Sequence, residues 1–246
     1  MIVNSTELQN NFGKYLMLAA HEDIIITRNG TEIAKLTAAK ETATENNVQP
    51  EMVHEKAREY SHDGKKSTYE EFLKLQLESD ERYEYIDGEI YLLTSPKTAH
   101  QIAITELFGN FYIFFQGKNC TPIVAPYDIE LRRTPENINI VQPDLMVICD
   151  LEENLNEHDY YKGIPSLVVE VLSKSTRSKD LIKKLDLYMY TGVSEYWIVN
   201  PDNKEVTVYH FEDQNISNSA TYKNNEAAQS FIFKGLSAEI SRIFRV

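Results

Sequence analysis

The stretch VQPDLMVICD at 141–150 decides the fold, together with SLVVEVLS at 166–173, a lysine-rich segment at 179–191 and EYWIV at 195–199. Two apolar runs of strand length each carry one carboxylate, Asp144 and Glu170. A charge in a buried strand is costly unless it is paired or binds a cation. Two such strands side by side add like-charge repulsion. A divalent cation between them removes both costs. The competing reading is a pair of carboxylates hydrogen-bonded to local backbone or held by an arginine. Residues alternate faces along a strand, so Glu170 points with Val168 and Leu172, and Asp144 with Gln142, Met146 and Ile148. Pro143 has no ladder N–H, so pairing is irregular beside Asp144, which suits an opening there. Carboxylate oxygens, a backbone carbonyl and waters are the ligands that Mg²⁺ or Mn²⁺ takes.

The segment after Ser175 reads as a helix whose apolar stripe is Leu181, Leu185, Tyr188 and Met189. Lys184 lies three residues after Leu181 and four before Tyr188, so it borders that stripe and faces the sheet. Lys183 lies roughly 100° further round, toward solvent. A lysine beside a cation-activated water stabilises the charge of the transition state. The alternative is a lysine whose stem lies along the stripe while its head reaches water. Ser173, Ser175 and Thr176 read as capping groups. Tyr188 and Trp197 read as packing residues.

The chain has 246 residues, enough for one domain with a sizeable core and a small extra module. Its net charge of −13 is unusual for a protein that grips phosphates, which usually shows a basic face. The two cysteines, Cys120 and Cys149, have no metal-ligand spacing. Cys149 lies in an apolar strand and reads as a buried thiol, a usage that fits a reducing cytoplasm. The N-terminus has no targeting pattern, and no apolar run is long enough to span a membrane.

Residues 1–40 read as a β-α-β-β module. Leu8, Phe12, Tyr15, Leu16 and Ala19 repeat at helical spacing, and Asn29-Gly30 is a hairpin turn between the strand at 23–28 and a return strand carrying Ile33 and Leu36. So small a unit buries little, and pairing with a second copy is expected. STELQNNFGKYL and IIITRNGTEIAKL resemble the N-terminal part of Phd/YefM-type antitoxins. That resemblance implies dimerisation, operator DNA binding and a toxin-like protein partner. Against DNA binding, four basic residues (Lys14, Arg28, Lys35, Lys40) face four acidic ones (Glu7, Glu22, Asp23, Glu32). Residues 41–66 read as a linker with one short helix at most.

The second domain, 67–246, opens with a helix capped by Ser67 or Thr68 and carrying Tyr69, Phe72, Leu73, Leu75 and Leu77. A hairpin turns at Asp87-Gly88, and Glu89 reads as a solvated hairpin charge. Thr98 to Phe115 is a long helix beginning near His100. Strands follow at TPIVAP and YDIELRR, then at EVTVYHF, and a polar loop leads to SFIFK and a short C-terminal helix. No internal repeat and no glycine-rich phosphate loop is present.

PDL at 143–145, VVEVLS at 168–173, ST at 175–176, Asp180, Lys184, Tyr188 and GVSEYW at 192–197 resemble the Uma-type restriction endonucleases of the PD-(D/E)XK nuclease superfamily. YEYIDGEI at 83–90 and His100 fit as well. The resemblance implies an α/β (α+β) core with a mixed sheet flanked by helices. By it, Asp144 and Glu170 are metal ligands, the Val171 carbonyl adds a third, and Glu84 is an acidic residue contributed from the first part of the domain. The lysine expected two residues after the glutamate is Leu172 here, and the resemblance places its role at Lys184. His100 contacts a phosphate or orients Glu84, or is a helix N-terminal residue without chemistry. The expected function is a Mg²⁺- or Mn²⁺-dependent endonuclease acting on nucleic acid, in the first place DNA, as a homodimer joined through residues 1–40. The alternative is a non-enzymatic antitoxin-like regulator that binds DNA or a toxin, or a nuclease fold that retains only binding.

Overall fold

The chain divides into two units, Met1–His54 and Glu55–Val246. The computed structural model describes residues 2–4, 8, 15, 24–28, 31–37, 66–173 and 179–245. In the first unit, β1 (Ile2–Asn4) runs parallel to β2 (Ile24–Arg28), which pairs antiparallel with β3 (Thr31–Leu36). A parallel pair needs a crossover, and Leu8 and Tyr15 between the two strands are helical. Val3, Leu8, Tyr15, Ile24 and Ile26 form its apolar cluster, with Leu36 packed against them. Ile33, on the return strand, is exposed. The other residues of the expected helix, the expected Asn29-Gly30 turn, the linker at 41–65 and the expected capping residues Ser175 and Thr176 lie outside the described residues.

The second unit holds a six-stranded and a four-stranded sheet, with a two-stranded ribbon. The large sheet has the order β13-β12-β11-β10-β9-β6. It comprises β6 (Thr121–Val124), β9 (Leu145–Ile148), β10 (Leu167–Val171), β11 (Glu195–Asn200), β12 (Glu205–Glu212) and β13 (Asn215–Lys223). β10 and β11 are parallel and the other neighbours antiparallel, so the sheet is mixed, as expected. The small sheet has the order β5-β4-β8-β7, from β4 (Tyr83–Ile86), β5 (Glu89–Leu92), β7 (Ile129–Arg132) and β8 (Ile138–Val141). Asp87 and Gly88, with φ of 50° and 86°, make the tight turn between β4 and β5 that the Asp-Gly pair predicts. β14 (Ala227–Gln229) pairs with β15 (Ser237–Glu239).

One expectation about the central stretch is corrected. Residues 141–150 are not one strand with Asp144 in its middle. β8 ends at Val141 in the small sheet and β9 begins at Leu145 in the large one. Gln142, Pro143 and Asp144 carry the chain from one sheet to the other. Pro143 cannot donate to either ladder, so a ladder ends where it stands.

Each face of the large sheet has its own core. Against one face packs α2 (Thr98–Phe115) through Ala103, Leu107, Phe111 and Phe115, with α4 (Ile240–Ile243) and the ribbon beside it. Leu145, Val147, Leu167, Val169 and Trp197 point that way. Met146, Ile148, Val168, Leu172 and Tyr196 point the other way, toward α3 (Leu185–Thr191) and the small sheet. Each fully buried large apolar side chain contributes about 1.5–3 kcal/mol. Gly192, at φ 99°, ends α3 in the left-handed conformation and donates its N–H to the Tyr188 carbonyl. The helix α1 (Tyr69–Glu78) has the expected cap, with Thr68 and Glu71 bonding each other's backbone N–H. Its stripe is narrower than expected, for Phe72 is buried while Leu77 is exposed.

Two further expectations fail. The polar stretch after β12 is strand β13, on the sheet's edge, and an edge strand bathed in solvent needs no apolar alternation. Beyond it, the three apolar residues of SFIFK pack against the core from a turn. Cys149 is not a free thiol but is disulfide-bonded to Cys120. Thr121 pairs with Ile148 across β6 and β9, and one further step in that antiparallel register sets the cysteines opposite each other. Cysteine usage therefore does not argue for a reducing compartment. Among the described residues no helix is long and apolar enough to cross a membrane.

Candidate active site

The break at 142–144 releases Asp144 from the ladder, and its side chain takes over a ladder role. Asp144 Oδ2 accepts the Val171 N–H at 2.8 Å. β9 and β10 pair Val169 with Leu145, and continuing that register sets Glu170 opposite Asp144. Both residues thus stand at one end of the β9–β10 pair. His100, in the first turn of α2, reaches Asp144 from the other side of the sheet, with Nε2 3.2 Å from Oδ2. Burial disfavours the charged imidazole, but the hydrogen bond to Asp144 and its charge outweigh this, with Asp180 and the Val171 backbone adding to them, so the histidine pKa is raised. The residue that His100 contacts is therefore Asp144 and not Glu84.

Glu170 is buried and accepts two short hydrogen bonds on Oε1, from Lys184 Nζ at 2.6 Å and Tyr188 OH at 2.7 Å. Lys184 points inward from the helical segment, as its place beside the apolar stripe predicts. Its ammonium also lies 2.7 Å from Glu84 Oε1 and 3.7 Å from Asp180 Oδ1. Glu84, on β4 of the small sheet, is wholly buried and accepts the Gln142 N–H at 2.9 Å. Tyr188, expected to do no more than pack, is also a hydrogen-bond donor of the site. Leu172, where the superfamily signature has a lysine, packs in the apolar core.

Lys179 is the residue that the helical pattern misses. In an α-helix it lies well round from Lys184, roughly 140° at 100° per residue. Lys179–Lys184 is instead a π-helical turn. Such a turn closes its bonds from i to i+5, so residues five apart share a face. Lys179 Nζ accordingly donates to Glu84 Oε2 while Lys184 takes Oε1. The repeat of lysines five apart in KDLIKK was the available signal. Lys183 also departs from expectation. It is half-buried and bonds Glu89 and the Tyr91 hydroxyl, so Glu89 is not a free hairpin charge.

Charge sets the character of this cluster. Among the described residues it gathers four carboxylates (Glu84, Asp144, Glu170, Asp180) and two ammonium groups (Lys179, Lys184). Burial opposes ionisation of Glu84, but the two lysines overcome it and hold its pKa at about 2. Glu170 goes the other way. Burial raises its pKa well above the usual glutamate range against the pull of Lys184, and the neighbouring Asp180, Asp144 and Glu84 add to the rise. Burial alone would lower the Lys184 pKa, but Glu170, Glu84 and Asp180 raise it. Tyr188 is raised by burial and then by the charge of Glu170.

Among the described residues no three His, Cys, Asp or Glu side chains are grouped to hold a metal ion. The ligands that the resemblance implies are two carboxylates and one backbone carbonyl, from Asp144, Glu170 and Val171. These are hard oxygen ligands, and the remaining positions suit water, so the set fits Mg²⁺ or Mn²⁺.

The comparisons with known proteins agree with this fold. Residues 69–241 match the Uma2 family, described as "Putative restriction endonuclease". The chain is 30% identical over 145 residues to "Uncharacterized protein slr1290" of Synechocystis sp., covering 58% of this chain and 74% of that protein. The crystal structure of "a putative nuclease belonging to DUF820" from Anabaena variabilis superposes with a TM-score of 0.57 at 20% identity, covering 72% of this chain and 97% of that one. That likeness shows a restriction-endonuclease-like fold in this chain. The switch between sheets at Pro143, the paired Asp144 and Glu170 and the inward Lys184 thus sit within residues whose family is shown: this chain belongs to the Uma2 family of restriction-endonuclease-like proteins.

Proposed function

We propose that this chain is a divalent-metal-dependent endonuclease that hydrolyses phosphodiester bonds, with DNA as the substrate. The observation that carries the reading is the convergence of Asp144, Glu170 and Lys184 from three separate segments on one buried, acid-rich site. Asp144 and Glu170, with the Val171 carbonyl, would hold Mg²⁺ or Mn²⁺. When bound, the metal polarises the phosphate and lowers the pKa of water. Lys184 presents its ammonium to the negative charge that builds on the phosphate. Tyr188 orients Glu170 by its hydrogen bond, and His100 orients Asp144. The β8-to-β9 break keeps Asp144 outside the ladder, where its carboxylate faces the site.

Residues 1–40 are proposed as a dimerisation module that places two cleavage sites on opposite strands. The resemblance of residues 1–40 to Phd/YefM-type antitoxins and the exposed β3 face support this, and a toxin-like partner is the alternative occupant. Size measurement of the full chain and of residues 67–246 decides it, since two monomers would end the idea. A cytoplasmic location is part of the same proposal. The central test is cleavage of plasmid and single-stranded DNA with Mg²⁺ or Mn²⁺. Cleavage by the wild type and none by Glu170→Ala is expected, and a wild type that binds DNA without cutting leaves the binding-only reading.

A further inference from the structure

We propose that Glu84 is a positioning residue rather than a cation ligand, and that Lys179, which it holds beside Lys184, is a second catalytic lysine touching the reacting phosphate. This rests on the nuclease reading above. Both oxygens of Glu84 are already used. Oε1 accepts from Lys184 at 2.7 Å and from the Gln142 N–H at 2.9 Å, and Oε2 accepts from Lys179. A carboxylate so saturated, and wholly buried, has little left for a metal. It comes from the small sheet, whereas Asp144 and Glu170 stand side by side on the large one. Its place is that of a counter-ion joining the lysines of the π turn to the other sheet.

The two lysines are not equivalent. Lys184 has a side chain 2% exposed and is held by Glu84 and Glu170 together. Lys179 is 8% exposed, and Glu84 is its one acid partner among the described residues. Its ammonium lies 5.2 Å from the centre of the Tyr91 ring. An ammonium has three donors, and one goes to Glu84, so Lys179 is the better placed of the two to turn toward an incoming phosphate. The π turn makes this arrangement, because its five-residue repeat sets both lysines on the face that meets Glu84. A phosphoryl centre gaining charge is then met by two cations from one rigid turn.

The test uses the full chain, with Mn²⁺ affinity by calorimetry and cleavage kinetics side by side. Glu84→Gln and Lys179→Met are expected to keep Mn²⁺ affinity near wild type while Asp144→Asn loses it. Lys179→Met should lower kcat by about 10–100-fold with KM little changed, and Lys179→Arg should recover much of that loss. The double variant Glu84→Gln/Lys179→Met should fall short of the product of the single losses, because the two residues act through one contact. Loss of Mn²⁺ binding in Glu84→Gln equal to that in Asp144→Asn overturns the proposal, as does wild-type kcat in Lys179→Met or full additivity. Should Glu84→Gln fail to fold, the Lys179→Met and Lys179→Arg pair decides it. If the wild type cuts no DNA, the nuclease reading fails separately, and the Mn²⁺ comparison still decides whether Glu84 is a ligand.

Discussion

Two glutamates are buried on neighbouring strands of the large sheet, and their surroundings are opposite. Glu195 begins β11 and pairs in register with Leu167, so it faces the core around α2. It accepts hydrogen bonds from the Trp197 indole at 2.6 Å and from the Phe231 and Ile232 backbone N–H groups at 2.6 and 3.1 Å. These donors are neutral and fixed, and they tie the turn at 230–234 to the sheet. Glu170, three places along β10 from Leu167, faces the other side and meets a lysine, a tyrosine and the charge of three further carboxylates. Both are buried charges, which are costly alone. The first is answered locally by dipoles, and its work is structural. The second is crowded by further carboxylates, and a proton or a cation relieves that crowding. A buried acid therefore marks a reactive site by what its neighbours fail to neutralise, not by burial.

This contrast can be broken by substitution. Glu170→Ala and Asp144→Ala should abolish Mg²⁺-dependent cleavage in a plasmid assay while the protein stays folded by circular dichroism. If Glu195→Ala abolished it equally in folded protein, the distinction would be wrong. Lys184→Ala should cost on the order of 10²–10³-fold in kcat, the range for losing one preorganised charge-stabilising group. Single-turnover kinetics at saturating metal would read this, and a change confined to KM would move Lys184 from chemistry to binding. Glu195→Ala should instead lower stability by about 2–4 kcal/mol, because it strands buried N–H donors. Urea unfolding measures that loss, and activity per folded molecule should stay unchanged.

What was legible in the sequence divides along the same line. The apolar run around Glu170, the Asp87-Gly88 turn and the span of α2 are local signals, and the structure follows them. Lys184 was readable because three- and four-residue spacing to Leu181 and Tyr188 holds whichever way the turn tightens. Asp144 was found for a reason only half right. Pro143 marked an irregularity, but a change of sheet is a tertiary event that ten residues do not display. Lys179 was missed because a helical wheel assumes 3.6 residues per turn and the segment is π-helical there. β13 was missed because an edge strand wetted on both sides reads like a loop. The cysteine pairing needed the β6–β9 register, which joins segments 29 residues apart in the chain.

Acid titration sharpens the comparison most finely, because the lysine-held Glu84 and the acid-crowded Glu170 respond in opposite senses. The folded-state pKa of Glu84 is lowered to about 2, first against burial and then by Lys179 and Lys184. A glutamate in an unfolded chain titrates near 4.3. The stability that Glu84 contributes is therefore present above that value and lost as pH falls toward 2. Glu170 is raised, so its contribution is present below the unfolded value and lost as pH climbs through the folded one. Below about pH 4, Glu170 is protonated in both states and drops out, leaving Glu84 as the member of the pair that still titrates. Urea unfolding from pH 4 to pH 2.5 should then show stability falling by up to about 1.4 kcal/mol per pH unit from this one group. Glu84→Gln should flatten the profile by that amount relative to wild type. Identical slopes in the two proteins would mean that the lysines do not grip Glu84 in the folded state, and the two-lysine arrangement would go with it.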